Sequence, residues 1–321
     1  MTRELRRLGD SNITTPPLIL GGNVFGWTAD ETTSFAILDR FIAAGFCVID
    51  TANVYSTWVS GHQGGESETI IGNWMKSRGN RDQVVIATKV GHEMDPDRKG
   101  LKADNILREV EASLQRLQTE YIDLYQSHTD DLATPVAETL EAYHRLLDAG
   151  KVRAIGASNF TADRLQESLQ TARQAGLPLY QSLQPEYNLC ERQKFETTLE
   201  PLCLREHLGV IPYFGLARGF LTGKYRSAAD LDRSPRGKGV ARYLDQRGLR
   251  ILTALDQVAS ELQSKLASVA LAWLMARPSV TAPISSATSI EQLEDLIAAA
   301  DLKLTTDQLA RLTAASAYTA S

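Results

Sequence analysis

Cysteine is scarce in this chain: only three occur among 321 residues, and no two of them have the CxxC spacing of redox or zinc motifs. Cys47 lies in the apolar run FCVI, where a buried, reduced thiol is the expected state. A chain of this length can bury a large core without disulfides or metals. We therefore expect a protein that folds on its hydrophobic core, and we expect no metal site.

Positive charge is interspersed with negative charge along the chain. The chain carries 34 Lys and Arg against 39 Asp and Glu, and it contains no basic block able to neutralise a run of phosphates. No apolar run approaches the roughly 18 residues of a membrane helix. The N-terminal stretch MTRELRRLGD has basic residues but lacks the apolar segment of a signal peptide. We expect a cytoplasmic protein whose partners include neither nucleic acid nor a membrane.

Short apolar runs rich in Val, Ile and Leu alternate with longer segments of helical periodicity. Within residues 105–117, the side chains of Ile106, Val110, Leu114 and Leu117 fall on one face of a helix. The runs themselves are typical of buried parallel strands. They lie at residues 18–22, 46–50, 84–90, 122–128, 152–159, 179–184, 209–215 and 280–286.

Helix-boundary signals agree with this alternation. Thr134 followed by Pro135 predicts the N-cap and first residue of a helix, and Gly150 predicts its end. Ser289 and Gln292 have the capping-box spacing, and they stand where the helix after the eighth strand should begin.

Eight strands separated by helices predict an α/β fold, a (β/α)8 TIM barrel in a single domain over residues 1–321. The alternative is an open doubly wound sheet, which normally carries a Gly-x-Gly-x-x-Gly turn to bind a dinucleotide. The turn after the first strand reads GGNVFG and lacks that spacing, which favours the barrel. We expect residues 1–16 to form a hairpin at the barrel bottom and residues 224–247 to form a long loop. A last short helix is predicted to begin near residues 305–306.

Polar side chains stand at or near the carboxyl ends of seven of these strands. In a barrel those ends converge on one face, which is the face where catalytic groups are found. A set of this size is hard to explain by structural accident. The residues concerned are Asp50, Lys89, His128, Ser158, Asn159, Gln184, Tyr213, Ser285 and Ser286.

Asp50, Tyr55, Lys89 and His128 point to proton transfer. An isolated buried lysine costs several kcal/mol, so it needs a carboxylate partner, which Asp50 on the neighbouring strand supplies. An ammonium group beside a tyrosine hydroxyl favours the phenolate, and we expect it to lower the tyrosine pKa from about 10 towards the working pH. Tyr55 would then act as a general acid, with His128 as a second donor. The alternative is that Asp50 and Lys89 form only a structural ion pair.

Several blocks of the sequence, in order, resemble those of the aldo-keto reductase family. They are DTANVY (residues 50–55), GESE (65–68), ATK (87–89), YQSH (125–128), GxSNF (156–160), QxEYNL (184–189) and GxLTGKY (219–225). The resemblance extends from RxLG at residues 6–9 to QLED at residues 292–295. Each block is weak alone, but together they are specific. Channel-associated β subunits resemble the same family.

The resemblance implies a catalytic tetrad and a nicotinamide cofactor. Tyr55 is the implied proton donor, tuned by Lys89 and Asp50, and His128 is implied to orient the substrate carbonyl. The resemblance implies that the nicotinamide lies at the ends of strands five to seven and that the pyrophosphate lies against the loop at residues 216–224. It also implies that the adenosine end lies at the helix N-terminus near residue 289. The cofactor-binding residues so implied are Gly22, Ser158, Asn159, Gln184, Tyr213, Gly215, Leu216, Arg218, Gly219, Leu221, Thr222, Gly223, Lys224, Ser285, Ser286, Thr288, Gln292 and Asp295.

The sequence departs from the family pattern at the adenosine end. NADP-preferring members usually place Lys or Arg there, whereas this chain has no cation between Pro283 and Leu296. A 2′-phosphate would then depend on hydroxyls, backbone N–H groups and the helix dipole, each contributing about 1 kcal/mol or less. NADP(H) is the family expectation, and NAD(H) is the alternative that this departure raises. Gln292 is a capping-box residue, a cofactor contact, or both.

We expect the protein to reduce aldehydes or ketones, or to catalyse the reverse oxidation, on a small-molecule substrate. Four aromatic residues follow strands one, two and seven and are candidates for a pocket wall, although they could equally pack beneath loops: Phe25, Trp27, Trp58 and Phe214. One alternative function is a cofactor-binding regulatory module like the channel β subunits. Another is a barrel enzyme of unrelated chemistry, such as a phosphate-binding lyase.

Overall fold

A computed structural model describes residues 4–233 and 237–318 of the chain. It begins with a short antiparallel hairpin, β1 (Arg6–Arg7) and β2 (Thr14–Thr15). Eight parallel strands follow: β3 (Ile19–Gly21), β4 (Val48–Asp50), β5 (Val85–Val90), β6 (Ile122–Ser127), β7 (Val152–Ser158), β8 (Ser182–Gln184), β9 (Gly209–Val210) and β10 (Ile284–Ser285). Their order in the sheet is β10-β3-β4-β5-β6-β7-β8-β9.

The two ends of this sheet are also joined by hydrogen bonds. The backbone of Val210 forms a parallel bridge with Val280, and the Thr281 N–H donates to the Val210 carbonyl at 2.8 Å. The Ile284 N–H donates to the Pro212 carbonyl at 2.8 Å. The eight strands therefore curl into the predicted (β/α)8 barrel, and the open-sheet alternative is wrong.

The last three barrel strands are shorter than predicted. The runs at 179–184, 209–215 and 280–286 give only three, two and two residues of regular strand, in β8, β9 and β10. A proline adjoins or nearly adjoins each of them: Pro185 follows β8, Pro212 lies two residues beyond β9, and Pro283 precedes β10. Because proline has no N–H to donate to a strand ladder, regular pairing stops there.

In the described part of the chain, ten α-helices surround the sheet or follow it. They are α1 (Glu31–Ala43), α2 (Glu66–Arg78), α3 (Ala103–Leu117), α4 (Val136–Asp148), α5 (Ala162–Ala175), α6 (Glu200–Arg205), α7 (Gln246–Glu261), α8 (Leu266–Met275), α9 (Ile290–Asp301) and α10 (Thr306–Ala315). The predicted apolar face of α3 is buried, as are most apolar side chains between helices and sheet. None of the helices in the described part of the chain combines the length and apolarity that a membrane crossing requires.

One helix start lacks its predicted cap, and a second has only half of its predicted capping box. Helix α4 begins at Val136, after Pro135, and the Thr134 hydroxyl donates to the Asp131 carboxylate at 2.6 Å instead of capping the helix. At α9 the Ser289 side chain accepts from the Gln292 N–H as expected.

The Gln292 side chain bonds to Thr288 rather than closing a reciprocal box with Ser289. The reciprocal capping box lies instead at α10, between Thr305 and Gln308. Gly150 does follow the end of α4, with a φ of +70°.

The hairpin covers the bottom of the barrel, as predicted for residues 1–16, of which the structure describes residues 4–16. Leu8 and Ile13 from the hairpin join an inner apolar cluster with strand residues such as Val48, Leu124 and Ile211. This cluster fills the lower half of the barrel, so polar side chains have room only at the opposite, carboxyl-terminal end.

The loop expected at residues 224–247 ends at residue 245, where α7 is capped by Asp245. It contains two short 3₁₀ helices, Ala228–Arg233 and Gly237–Tyr243, on either side of residues 234–236, which lie outside the described part. Tyr225 and Val240 anchor the loop because both side chains are fully buried.

Candidate active site

The carboxyl-terminal end of the barrel holds a cavity of about 620 Å³. It lies where the predicted polar side chains converge, and it extends from Tyr55 and His128 past the end of β9 to the N-termini of α8 and α9. Among the predicted residues, the lining includes Asp50, Tyr55, His128, Ser158, Asn159, Gln184, Tyr213, Gly215, Leu216, Arg218, Gly219, Thr222, Lys224, Ser285, Ser286, Gln292 and Asp295.

Lys89 lies beneath this cavity and is fully buried. Its Nζ donates to Asp50 Oδ2 at 2.6 Å, to the Thr51 carbonyl at 2.7 Å and to Tyr55 Oη at 3.0 Å. Three acceptors satisfy all three ammonium hydrogens. The parallel pairing of β4 with β5 brings Asp50 and Lys89 together because both stand near the carboxyl ends of neighbouring strands.

The second oxygen of Asp50 is also hydrogen-bonded. Oδ1 accepts from Gln184 Nε2 at 2.9 Å and from Gln126 Nε2 at 3.3 Å. Burial of an ion pair is tolerated when the remaining polar atoms are satisfied in this way. Gln126 was not among the predicted site residues, although its place on β6, two residues before His128, fits the same pattern of inward polar side chains.

Tyr55 is protonated in this environment. Burial raises the pKa of its hydroxyl, the charge of Lys89 lowers it, Asp50 raises it again, and the net pKa lies above the ordinary value. The expectation that Lys89 would bring the Tyr55 pKa down towards neutrality is therefore wrong, because it left out the desolvation of the phenol. Burial lowers the pKa of Lys89, but Asp50 and Tyr55 raise it by more, so the ammonium form is retained.

His128 is buried beside Tyr55, with their ring centroids 5.9 Å apart. Burial first, then the charge of Lys89 and the neighbouring imidazole of His92, hold the pKa of His128 well below its ordinary value. The imidazole is therefore neutral and donates from one nitrogen only. Its Nδ1 is buried and finds no hydrogen-bond partner among the described residues.

His92 also belongs to this site, although it was not among the predicted site residues. Its ring lies 4.2 Å from that of His128, at 73°, and it lines the same cavity. Burial, followed by the charge of Lys89, lowers the pKa of His92, so this imidazole is also neutral at pH 7. Its position just beyond the end of β5, three residues after Lys89, is the signal that would have found it.

The ends of β7 and β8 carry an amide-rich surface. Asn159 Nδ2 donates to the His128 carbonyl at 2.9 Å, and Tyr213 Oη donates to Asn159 Oδ1 at 2.7 Å. Ser158 Oγ donates to the Gln184 carbonyl at 2.9 Å. Asn159 adopts a φ of +59°, a left-handed conformation that Asn tolerates better than most residues. These groups line the middle of the cavity next to Tyr55.

The loop after β9 bends around the cavity through left-handed residues at Phe214, Ala217, Arg218, Gly219 and Gly223. The Arg218 guanidinium stacks over the Phe214 ring at 4.2 Å. With Lys224 it brings positive charge to the lining.

Four of the predicted cofactor residues lie outside the cavity lining that the structure describes: Gly22, Leu221, Gly223 and Thr288. The Gly22 N–H donates to the Asp50 carbonyl at 2.7 Å, behind the site.

The aromatic wall is smaller than the sequence suggested. Trp58, half of whose surface is exposed, and Phe214 line the cavity. Trp27 packs edge-on against Trp58 with ring centroids 5.6 Å apart, outside the lining. Phe25 is fully buried in the core.

At the far end of the cavity, Lys265 lines the surface beside Gln292, Asp295 and Leu296. Lys265 precedes α8 and lies outside every sequence block that resembles the family, so the sequence did not point to it. Within residues 4–233 and 237–318, no cluster of His, Cys, Asp and Glu is arranged to hold a metal ion.

Comparisons with known proteins agree with this architecture. The profile of the Aldo/keto reductase family matches residues 17–317. The chain is 37% identical to Uncharacterized oxidoreductase YrpG of Bacillus subtilis, over 94% of this chain and 92% of that protein. It is 33% identical to norsolorinic acid reductase of Aspergillus flavus (93% and 77% covered) and 31% identical to protein tas of Escherichia coli (97% of each). The chain therefore belongs to the aldo/keto reductase family.

Proposed function

We propose that this oxidoreductase transfers a hydride between a nicotinamide dinucleotide and a carbonyl compound, with Tyr55 as the proton donor in reduction. The observation that carries the proposal is the position of the Lys89 ammonium, within hydrogen-bonding distance of both the Asp50 carboxylate and the Tyr55 hydroxyl. This arrangement lies at one end of a cavity large enough for an organic ligand.

The lining of the cavity fits a nicotinamide dinucleotide. Ser158, Asn159 and Gln184 are suited to a carboxamide, and Tyr213 offers an aromatic face. Arg218 and Lys224 supply positive charge for a pyrophosphate. The buried, unpartnered Nδ1 of His128 also suggests that this end of the cavity receives a polar ligand atom. When bound, the cofactor supplies or accepts the hydride.

The protein's own residues would handle the proton. In reduction, hydride adds to the carbonyl carbon, the C=O π bond breaks, and the carbonyl oxygen takes the proton of the Tyr55 hydroxyl. The Lys89 ammonium stabilises the phenolate left behind, and solvent later returns the proton. A positioned general acid contributes typically 10²- to 10⁴-fold to the rate.

His128 would orient the carbonyl rather than protonate it. Its low pKa keeps the imidazole neutral, so it can donate one hydrogen bond to the oxygen without competing with Tyr55 for the role of acid. Trp58 and Phe214 give the substrate region an apolar face, which suits aldehydes and ketones with apolar substituents.

The first experiment titrates the protein with NADPH and with NADH and monitors binding by the quenching of tryptophan fluorescence. Trp58, which lines the cavity, is the reporter. Turnover of a panel of aldehydes and ketones is then measured with whichever cofactor binds. We expect binding and reduction. Failure to bind either nucleotide would overturn the proposal, and binding without turnover across a wide panel would favour a regulatory module instead.

A further inference from the structure

The far end of the cavity, at the N-termini of α8 and α9, is acidic. Helix α9 contains four carboxylates, Glu291, Glu294, Asp295 and Asp301, and no Lys or Arg. Asp295 lines the cavity, whereas Glu294 is bound to Arg40 by two hydrogen bonds of 2.6 and 2.9 Å and lies outside the lining. An anion entering this end therefore meets the carboxylate of Asp295.

Lys265 is the one cation that α8 and the segment before it bring to this part of the described lining, and its charge is already neutralised. Its Nζ lies 2.8 Å from Asp295 Oδ1 and 3.0 Å from Oδ2, with Glu291 Oε1 at 4.0 Å. The carboxylates raise the pKa of Lys265, so it stays charged. One positive and two negative groups leave the cluster with a net negative charge.

Three hydrogen-bond donors just before α9 are also occupied. Gln292 Oε1 accepts from the Thr288 N–H at 2.9 Å and from the Thr288 hydroxyl at 3.1 Å. Ser286 Oγ donates to Asn23 Oδ1 at 2.5 Å. The side-chain amide of Gln292 therefore takes the two Thr288 donors that a phosphate oxygen would otherwise use.

These contacts disfavour the binding of a 2′-phosphate and favour that of a 2′-hydroxyl. A phosphomonoester carries a charge of roughly −1.5 to −2 at pH 7 and needs cations or free donors to replace its water. A ribose hydroxyl is neutral, and a carboxylate is the acceptor that dinucleotide sites use to bind it and to disfavour the phosphate. Asp295 provides such a carboxylate, and it also keeps Lys265 from serving the phosphate.

We propose that this protein uses NAD(H) in preference to NADP(H), and that Asp295 is the residue that determines this preference by holding Lys265. The inference rests on the proposed function, since it concerns the adenosine end of the same cofactor site. It does not depend on the identity of the carbonyl substrate.

The test is to measure dissociation constants for NADH and NADPH by fluorescence titration in the wild type and in Asp295→Asn. The wild type should bind NADH more tightly. Asp295→Asn removes the repelling carboxylate and frees Lys265, so the preference should shift towards NADPH by about tenfold, which corresponds to roughly 1.4 kcal/mol. Asp295→Asn combined with Lys265→Met should lose that gain.

Glu294→Gln is the matched control because it makes the same change of charge on the same helix, away from the cavity, and it should leave the ratio unchanged. Tighter binding of NADPH by the wild type would overturn the inference while leaving the proposed function intact. If the ratio of the NADH and NADPH dissociation constants is unchanged in Asp295→Asn, Asp295 does not determine the preference. Binding of neither nucleotide would instead count against the proposed function.

Discussion

At the residue scale, the site is organised around a lysine whose ammonium group is fully buried. The desolvation of such a charge costs several kcal/mol, and Lys89 offsets it with three hydrogen bonds, one of them to a carboxylate that is itself fully satisfied. The polar atoms of Lys89 and Asp50 all have hydrogen-bond partners within the protein. Tyr55 is partly exposed to the cavity, so its hydroxyl is the group through which the buried charge can act on a ligand.

Tyr55→Phe tests that role directly. The variant keeps the aromatic ring and removes the hydroxyl group that accepts from the Lys89 ammonium and carries the transferred proton, so kcat for carbonyl reduction should fall by about 10²- to 10⁴-fold. Cofactor affinity, measured by fluorescence titration, should stay near the wild-type value. Tyr121→Phe, which alters a tyrosine packed between Arg81 and Arg153 at the other end of the barrel, is the control. A marked loss of cofactor affinity in Tyr55→Phe would contradict the assignment.

The neutral imidazole of His128 makes stability depend on pH. Its pKa lies well below 6.5 in the folded protein, so between pH 6.5 and the folded-state pKa the unfolded chain binds more protons. The free energy of unfolding should therefore fall as the pH drops from 7 to 5.5, by at most about 1.4 kcal/mol per pH unit for this one group. Urea unfolding of His128→Gln should show a smaller fall than the wild type. Exposed His144→Gln should match the wild type, and an equal fall in His128→Gln would show that His128 is not responsible.

At the scale of elements, the packing of α2 on α3 fixes the strand that carries Lys89. The fully buried Glu68 of α2 accepts from the Thr88 hydroxyl on β5 at 2.6 Å and from Arg116 Nε on α3 at 2.7 Å. The two helices approach closely at Gly72, where a Cβ would lie 2.1 Å from the Arg116 carbonyl oxygen. Glycine is needed at this position because the backbone of α3 occupies the space.

Gly72→Ala should destabilise the protein although alanine is the better helix former by about 1 kcal/mol. The added methyl group forces α2 and α3 apart, and overpacking of this kind typically costs about 1 to 3 kcal/mol. Urea unfolding would measure the difference, with the exposed Lys76→Ala on the same helix as a control. A stabilised Gly72→Ala would show that the helix contact can relax.

The elements and their order could be read from the sequence because strand and helix periodicities are local properties. The same reasoning placed Asp50, Lys89 and His128 at one end of the barrel. It did not find Lys265, which reaches the cavity from the start of a helix and follows no strand. Nor could spacing alone decide whether Gln292 would bond to Ser289 or to Thr288, since both N–H groups lie within reach of the side chain. Contacts between distant segments decided these points.

At the scale of the whole molecule, the apolar residues inside the barrel and the polar residues of the site lie at opposite ends. The bottom is filled by apolar side chains and covered by the β1–β2 hairpin, while the charged and amide groups collect at the carboxyl-terminal end. Gly9, with a φ of +58°, lets the hairpin pass close to the barrel, where a Cβ would lie 2.1 Å from the Gln181 carbonyl oxygen. A change confined to the bottom should therefore alter stability without altering the site.

Leu8→Ala is the sharpest test of this separation. Leu8 is almost fully buried and contributes to the inner cluster with residues of the barrel strands. Truncation should lower the free energy of unfolding by about 2 to 5 kcal/mol, because it removes apolar contacts and leaves a cavity that the strands cannot collapse to fill. Leu5→Ala, on an exposed hairpin side chain, should change it little. Cofactor dissociation constants of both variants should equal those of the wild type, and a weakened cofactor affinity in Leu8→Ala would mean that the two ends of the barrel are coupled.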